Sequence, residues 1–86
     1  MRVGSDLMLL TRPESVKAHN VRRTGRASLA EHTSTLWATV EGVARVVDDA
    51  ASLAAARAAY QERYGQAGTW GTCVIVLAPD RVLHGA

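Results

Sequence analysis

A short basic segment near the start of the chain carries the side chains best suited to binding a phosphate group. Thr11 and Ser15 supply hydroxyl groups, and Lys17 is the only lysine among the 86 residues. Asn20 lies one helical turn beyond Lys17, on the same side of the helix predicted below. A lysine ammonium, hydroxyl groups and the free amides of a helix N-terminus can together hold a phosphate dianion. A solvated basic helix face is the alternative interpretation of the same residues.

Charge is distributed unevenly along the chain. Residues 1–26 carry six basic and two acidic side chains, a net charge of +4, whereas residues 27–86 carry four basic and six acidic ones, a net charge of −2. The positive charge therefore surrounds the candidate phosphate-binding segment. A nucleic-acid-binding protein is disfavoured, because only 5% of the residues are aromatic and none of them interleaves with the basic cluster.

Several other kinds of site are not indicated by the sequence. The three histidines lack the paired spacing of a metal site, so we expect no bound metal. Cys73 is the only cysteine, which excludes an internal disulfide and favours a reduced, cytoplasmic setting. The motifs of nucleotide hydrolases and serine hydrolases are missing, and no residue is marked as a general acid or base. We find no leader or membrane-span pattern and expect a soluble, unprocessed protein without membrane partners.

The elements that position these residues follow from hydrophobic patterning. Residues 6–10 form an apolar run of strand length. Thr11 and Glu14 have the spacing of a capping box, which predicts a short helix over residues 13–23 that ends at Gly25. The candidate phosphate-binding residues therefore lie in the turn and first helix after the first strand.

A β-hairpin is predicted next. Residues 27–31 are interpreted as one strand and residues 36–46 as a longer one, joined by a polar turn over residues 32–34. Apolar and polar side chains alternate along the longer strand, which predicts one face toward a core and one toward solvent or a polar cavity. The core face is expected to carry Leu36, Ala38, Val40 and Ala44, and the opposite face Thr39, Glu41 and Arg45.

The second half of the chain is predicted to hold a helix and two strands. Asp48 and Asp49 can cap an alanine-rich helix that runs to Tyr64. Residues 72–78 form a nearly uninterrupted apolar run typical of a strand covered on both faces, and Pro79-Asp80 is expected to turn the chain into a last strand over residues 81–84. The buried stripe of the helix is expected to contain Leu53, Ala56, Tyr60 and Tyr64.

The sequence therefore predicts a mainly β fold with two helices, in the order β-α-β-β-α-β-β, as a single domain over residues 1–86. This order and its residues resemble the pyridoxamine 5′-phosphate oxidase-like proteins, especially the actinobacterial branch that uses flavin or the deazaflavin coenzyme F420. The matching segments cover essentially the whole chain: residues 9–11, 15–23, 27–29, 38–44 and 74–82. The resemblance implies a partial split β-barrel of the FMN-binding type and a homodimer with the cofactor at the subunit interface.

The resemblance also implies roles for individual residues. The segment around Lys17 is similar to the family's phosphate-binding element, which implies cofactor contacts from Thr11, Ser15, Lys17 and Asn20. Trp37 falls at a ring-contacting position, and a large aromatic on that strand face is expected to be covered by a cofactor ring, a partner subunit or an unpatterned loop. We interpret Trp70 as a structural plug or a dimer contact.

Family members normally begin with a helix and a strand pair before the segment that resembles residues 6–10. The resemblance therefore implies an N-terminally shortened chain, through a misassigned coding start, trimming or a genuinely shortened form. The resemblance implies an oxidoreductase that transfers hydride or electrons between bound FMN or F420 and a small-molecule substrate, because the cofactor supplies the reactive atom. A non-catalytic protein that binds or carries the cofactor is the alternative. Turnover of reduced cofactor would separate the two.

Overall fold

The structure is a computed structural model that describes residues 6–32 and 37–85. It contains four strands and two helices within these ranges. The second helix lies where the sequence predicts it, and the first begins at residue 16 instead of residue 13. The elements, in chain order, are β1 (Leu7–Thr11), α1 (Val16–Thr24), β2 (Arg26–His32), β3 (Trp37–Val47), α2 (Ala50–Tyr64) and β4 (Cys73–Gly85).

The four strands form one antiparallel sheet in the order β1-β4-β3-β2. The sheet curls into a half-barrel, with β1 and β2 at its two edges. The predicted hairpin is formed by β2 and β3, while β1 pairs with β4 from the far end of the chain. The prediction of a mainly β protein with two helices and a partial split barrel is confirmed.

Two hydrophobic clusters lie on opposite faces of the sheet. The first packs Val21 of α1 against Val40, Ala44, Ile75 and Leu77 of the sheet. The second contains the α2 residue Ala56 together with Leu10, Val74 and Val76. Residues 73–77 of β4 are therefore buried on both faces, as their apolar run predicts.

The predicted facing of β3 is confirmed at Val40, Ala44 and Arg45, whereas Ala38, Thr39 and Glu41 are all half-buried. Val40 and Ala44 are 2% and 6% exposed, whereas Val43 is 58% exposed and Arg45 is exposed. A shift of register by one residue would exchange these two faces, so the alternation fixes which side chains enter the core. Leu36, which we expected on the core face, lies outside the described residues.

Both helices end at glycine, and each begins at a side-chain cap. Asp49 caps α2 by accepting a hydrogen bond of 2.9 Å from the Ser52 amide, as predicted. The capping box predicted for α1 is wrong, because Ser15 rather than Thr11 is the N-cap residue. Helix α1 begins at Val16, after a turn in which the Ser15 amide donates to the Arg12 carbonyl at 3.1 Å.

The two strands predicted at the C-terminus are a single strand, β4. At Pro79-Asp80 the chain makes a β-bulge instead of a turn: Gly42 pairs with Pro79 and Glu41 with Arg81, so Asp80 is the extra residue. Proline has no amide hydrogen to give to the ladder, and a bulge is one of the few strand positions that tolerates it.

Gly42 makes this bulge sterically feasible. A Cβ atom at this position would overlap the carbonyl oxygen of Ala78 and lie 3.0 Å from the Cα of Pro79. The backbone of β4 can come this close to β3 only because residue 42 has no side chain.

Most of the predicted stripe of α2 faces the sheet. Ala56 is buried, and Leu53 and Tyr60 pack against the second cluster. Tyr64 is an exception at 58% exposed. Its ring lies 4.7 Å from that of Tyr60 and under the Arg63 guanidinium, so it covers the helix end and not the sheet.

Candidate functional site

A groove of about 360 Å³ lies between α1 and the sheet. It is bordered by both edge strands, because consecutive residues of β1 and of β2 contribute to its walls. Most of its surface is apolar, with a few polar side chains among the wall residues. The lining residues are Leu7, Met8, Leu9, Lys17, Asn20, Val21, Arg26, Ala27, Ser28, Leu29, Glu41, Ile75 and Leu77. An apolar cleft with a small number of polar groups is the usual form of a small-molecule site.

Helix α1 presents two of the predicted site residues to this groove. Val21 anchors the helix in the first cluster, and Lys17 and Asn20 lie four and one residues before it. At the spacing of an α-helix these three side chains share one face, which explains why all of them line the groove. The structure thus brings Lys17 and Asn20 together in one wall.

Thr11 and Ser15 form a hydrogen-bonded pair at the start of α1. The Thr11 hydroxyl donates to Ser15 Oγ at 2.9 Å, and the same oxygen accepts from the Ala18 amide at 3.1 Å. Since the Ser15 oxygen accepts both bonds, the hydrogen of its own hydroxyl remains available to a ligand. Thr11, only 8% exposed, instead orients Ser15. Neither residue lines the groove itself.

Lys17 is a groove cation without a polar partner among the described residues. It is exposed, and it has no hydrogen bond or ion pair within residues 6–32 and 37–85. Arg12 and Arg22, by contrast, donate to the backbone carbonyls of Trp70 and Pro13. No described residue therefore occupies any of the three N–H donors of Lys17.

Arg26, the second cation of the groove, is already paired. Its two terminal nitrogens donate to the two carboxylate oxygens of Asp80 at 3.0 and 2.9 Å. These bonds lower the pKa of the Asp80 carboxyl and raise the pKa of the Arg26 guanidinium. Both side chains are about half exposed, at 52% and 47%, so solvent screens the pair.

Arg26, Ser28 and Glu41 are groove residues that sequence reasoning did not single out. Arg26 was counted only as part of the basic cluster, and Glu41 only as a residue on the polar face of its strand. Glu41 also lies 3.8 Å from Arg81, across the β3–β4 ladder. Alternation along the strands indicated that these three groove residues would be exposed. No local pattern showed that the curl of the sheet would bring them to the same groove as α1.

The two tryptophans lie away from the groove. Trp37, at the start of β3, is 40% exposed and does not line it. Trp70 packs edge-on against Tyr60, with ring centroids 5.4 Å apart, and its carbonyl accepts from Arg12. The Trp70 ring thus joins the loop before β4 to α2.

Three further observations concern the described part of the chain. Within residues 6–32 and 37–85, no three acidic, histidine or cysteine side chains cluster as a metal site would require. Cys73 is 1% exposed, and its burial raises the pKa of the thiol. Neither helix in the same ranges has both the length and the apolar character needed to cross a membrane.

The family model described as Pyridoxamine 5′-phosphate oxidase matches residues 2–84, which is nearly the whole chain. Comparison with the curated proteins and with the solved structures gave no match.

Proposed function

Because the chain belongs to the pyridoxamine 5′-phosphate oxidase family, we propose that it binds FMN or the deazaflavin F420 and acts as an oxidoreductase. Members of the family typically bind flavin. The observation that carries the proposal is the position of Lys17, which is unpaired among the described residues and lines an apolar groove together with Asn20. When bound, such a cofactor supplies hydride or electron transfer, and the protein supplies binding and orientation.

The first turn of α1 suits a phosphate group. Lys17 offers a charged donor, and Ser15 offers the hydroxyl hydrogen that the cap leaves free. The amides of Val16 and Lys17 precede the first hydrogen-bonded amides of the helix, those of Ala18 and His19, which are bonded to Ser15. We therefore assign phosphate binding to Ser15, Lys17 and the first-turn amides, with Thr11 as the residue that orients Ser15.

The remaining walls of the groove suit the less polar part of the ligand. Leu7, Leu9 and Leu29 supply apolar surface, and Asn20 offers an amide beside it. Burying a planar ring against such walls removes apolar area from water, which favours binding. We propose that Asn20 contacts the cofactor near the Lys17 end of the groove.

Replacing Lys17 with alanine tests this assignment. Charge-assisted hydrogen bonds contribute roughly 1.5–3 kcal/mol, so the affinity for FMN or F420 is expected to fall about ten- to a hundredfold. Fold stability should change by less than about 0.5 kcal/mol, because Lys17 is exposed. Flavin fluorescence titration measures the affinity, and urea unfolding measures the stability.

Arg23→Ala is the matched control. Arg23 belongs to the same helix, is exposed and basic, and does not line the groove. Its loss should leave affinity nearly unchanged. Equal binding by the wild type and the Lys17 variant would contradict the phosphate assignment, and a wild type that binds neither cofactor would contradict the proposed function. Binding without turnover of reduced cofactor would favour the carrier over the oxidoreductase.

We also propose that the protein is a homodimer in which the second copy covers Trp37, because Trp37 lies outside the groove assigned to the cofactor. Trp37, Val43 and Leu83 are 40%, 58% and 38% exposed, and β1 and β2 leave two sheet edges without a strand partner in the described chain. Exposed apolar side chains and open edges favour association. Sedimentation that finds a monomer at micromolar concentration would contradict this proposal.

A further inference from the structure

One ion pair joins strands that are not neighbours in the sheet. Arg26 is the first residue of β2, and Asp80 is the extra residue of the β4 bulge, while β3 lies between these two strands. Strands on either side of a third are roughly 10 Å apart, so only a long side chain can span them. The guanidinium of Arg26 does so and meets both carboxylate oxygens at 2.9–3.0 Å.

The Asp80 side of this ion pair is held in place by the bulge in β4. The bulge that presents Asp80 is held where the β4 backbone approaches Gly42, with no room for a Cβ atom between them. The β2 end is less restrained, because β2 is an edge strand with β3 as its only strand neighbour in the described chain. The bidentate geometry therefore restrains the angle at which β2 meets the rest of the sheet.

That angle matters because β2 is a wall of the groove. Residues 26–29 form one side of it, and residues 7–9 of the other edge strand, β1, form another. We infer that the Arg26–Asp80 pair is a positioning device that sets the width of the groove between β1 and β2. Its effect on ligand affinity rests on the proposed function, whereas its effect on groove width does not.

The variant Asp80→Asn distinguishes a positioning role from a purely electrostatic one, because the two roles predict opposite changes in the affinity for FMN. Removing a negative charge beside the groove should by electrostatics alone tighten the binding of phosphate-bearing FMN. A positioning role instead predicts weaker binding, by roughly three- to fivefold given the strength of exposed ion pairs. Asp48→Asn, the same change at an exposed residue just before α2, should leave affinity unchanged.

Groove width can be measured without any cofactor. Met8 and Ser28 are exposed and line the groove from β1 and β2, so cysteines introduced at both positions can carry a pair of spin labels. Cys73 is 1% exposed and should resist labelling. Pulsed electron resonance should show a broader distance distribution in Asp80→Asn than in the wild type or Asp48→Asn.

A double variant that combines Arg26→Gln with Asp80→Asn tests whether the two residues act through each other. If Arg26 and Asp80 act through each other, adding Asp80→Asn to Arg26→Gln should broaden the distribution no further. The distance distribution decides the inference whichever way FMN behaves. An unchanged distribution in Asp80→Asn would overturn it, even if affinity fell, and a broader one would support it, even if the wild type bound no FMN.

Discussion

Replacing Gly42 with alanine should destabilise the fold more than the same change at Gly25. The added Cβ would overlap the Ala78 carbonyl oxygen and lie 2.8 Å from its carbonyl carbon and 3.0 Å from the Cα of Pro79. All three are backbone atoms, so no side-chain rotation can relieve the overlap and β4 itself must move. Overpacking typically costs about 1–3 kcal/mol, and we expect a loss near the upper limit, about 3 kcal/mol.

Gly25→Ala is the comparison that isolates the steric cause. Gly25 has a φ of 69°, and an added Cβ there would have no atom within 4 Å. Only the left-handed backbone is penalised at that position, at about 1 kcal/mol. Urea unfolding followed by tryptophan fluorescence gives both values from the shift of the midpoint, provided that the denaturant slope is unchanged. A Gly42 variant as stable as the Gly25 variant, within about 0.5 kcal/mol, would refute the reasoning.

Two further outcomes follow from the titrating groups. Arg26 lowers the pKa of the Asp80 carboxyl, so the pair contributes its stability above the ordinary carboxyl pKa of about 3.9 and loses it as the pH falls through the folded-state pKa. Unfolding measured between about pH 5 and pH 2 should therefore depend less steeply on pH in Asp80→Asn, and an identical slope would argue against the ion pair. The Cys73 thiol is buried with a raised pKa, so its reaction with an aromatic disulfide reagent should be slow in the native protein and accelerate as urea unfolds it. Fast reaction in native buffer would show that Cys73 is accessible.

Patterns confined to a few neighbouring residues predicted the local structure well. The Asp49 cap and the Gly65 end of α2 follow from contacts within the helix, and the facing of β3 follows from its alternation. The same local rules failed at Pro79, where a dipeptide typical of turns lies in a bulge. Its partner, Gly42, is 37 positions away in the chain, and nothing near Pro79 indicates it.

The candidate site was predicted only in part, because some of its contacts join residues that are far apart in the sequence. Lys17 and Asn20 line the groove because helical spacing alone places them on one face with Val21. The partner of Arg26 lies 54 residues away in sequence, and the pairing depends on strand order, which patterning did not determine. The hydroxyl of Thr11 was expected to bind phosphate, but the structure shows it donating to Ser15, a geometry that sequence spacing does not specify.

The pairing of β1 with β4 has a consequence for how the chain folds during synthesis. Leu7 is the register partner of Leu77, and Thr11 is that of Cys73, so the first strand of the described chain pairs with its fourth. The β2–β3 hairpin can close early, because its strands are adjacent in sequence. The apolar segment of β1, in contrast, stays without its strand partner until β4 has left the ribosome, and this interval is when the nascent chain is most exposed to aggregation.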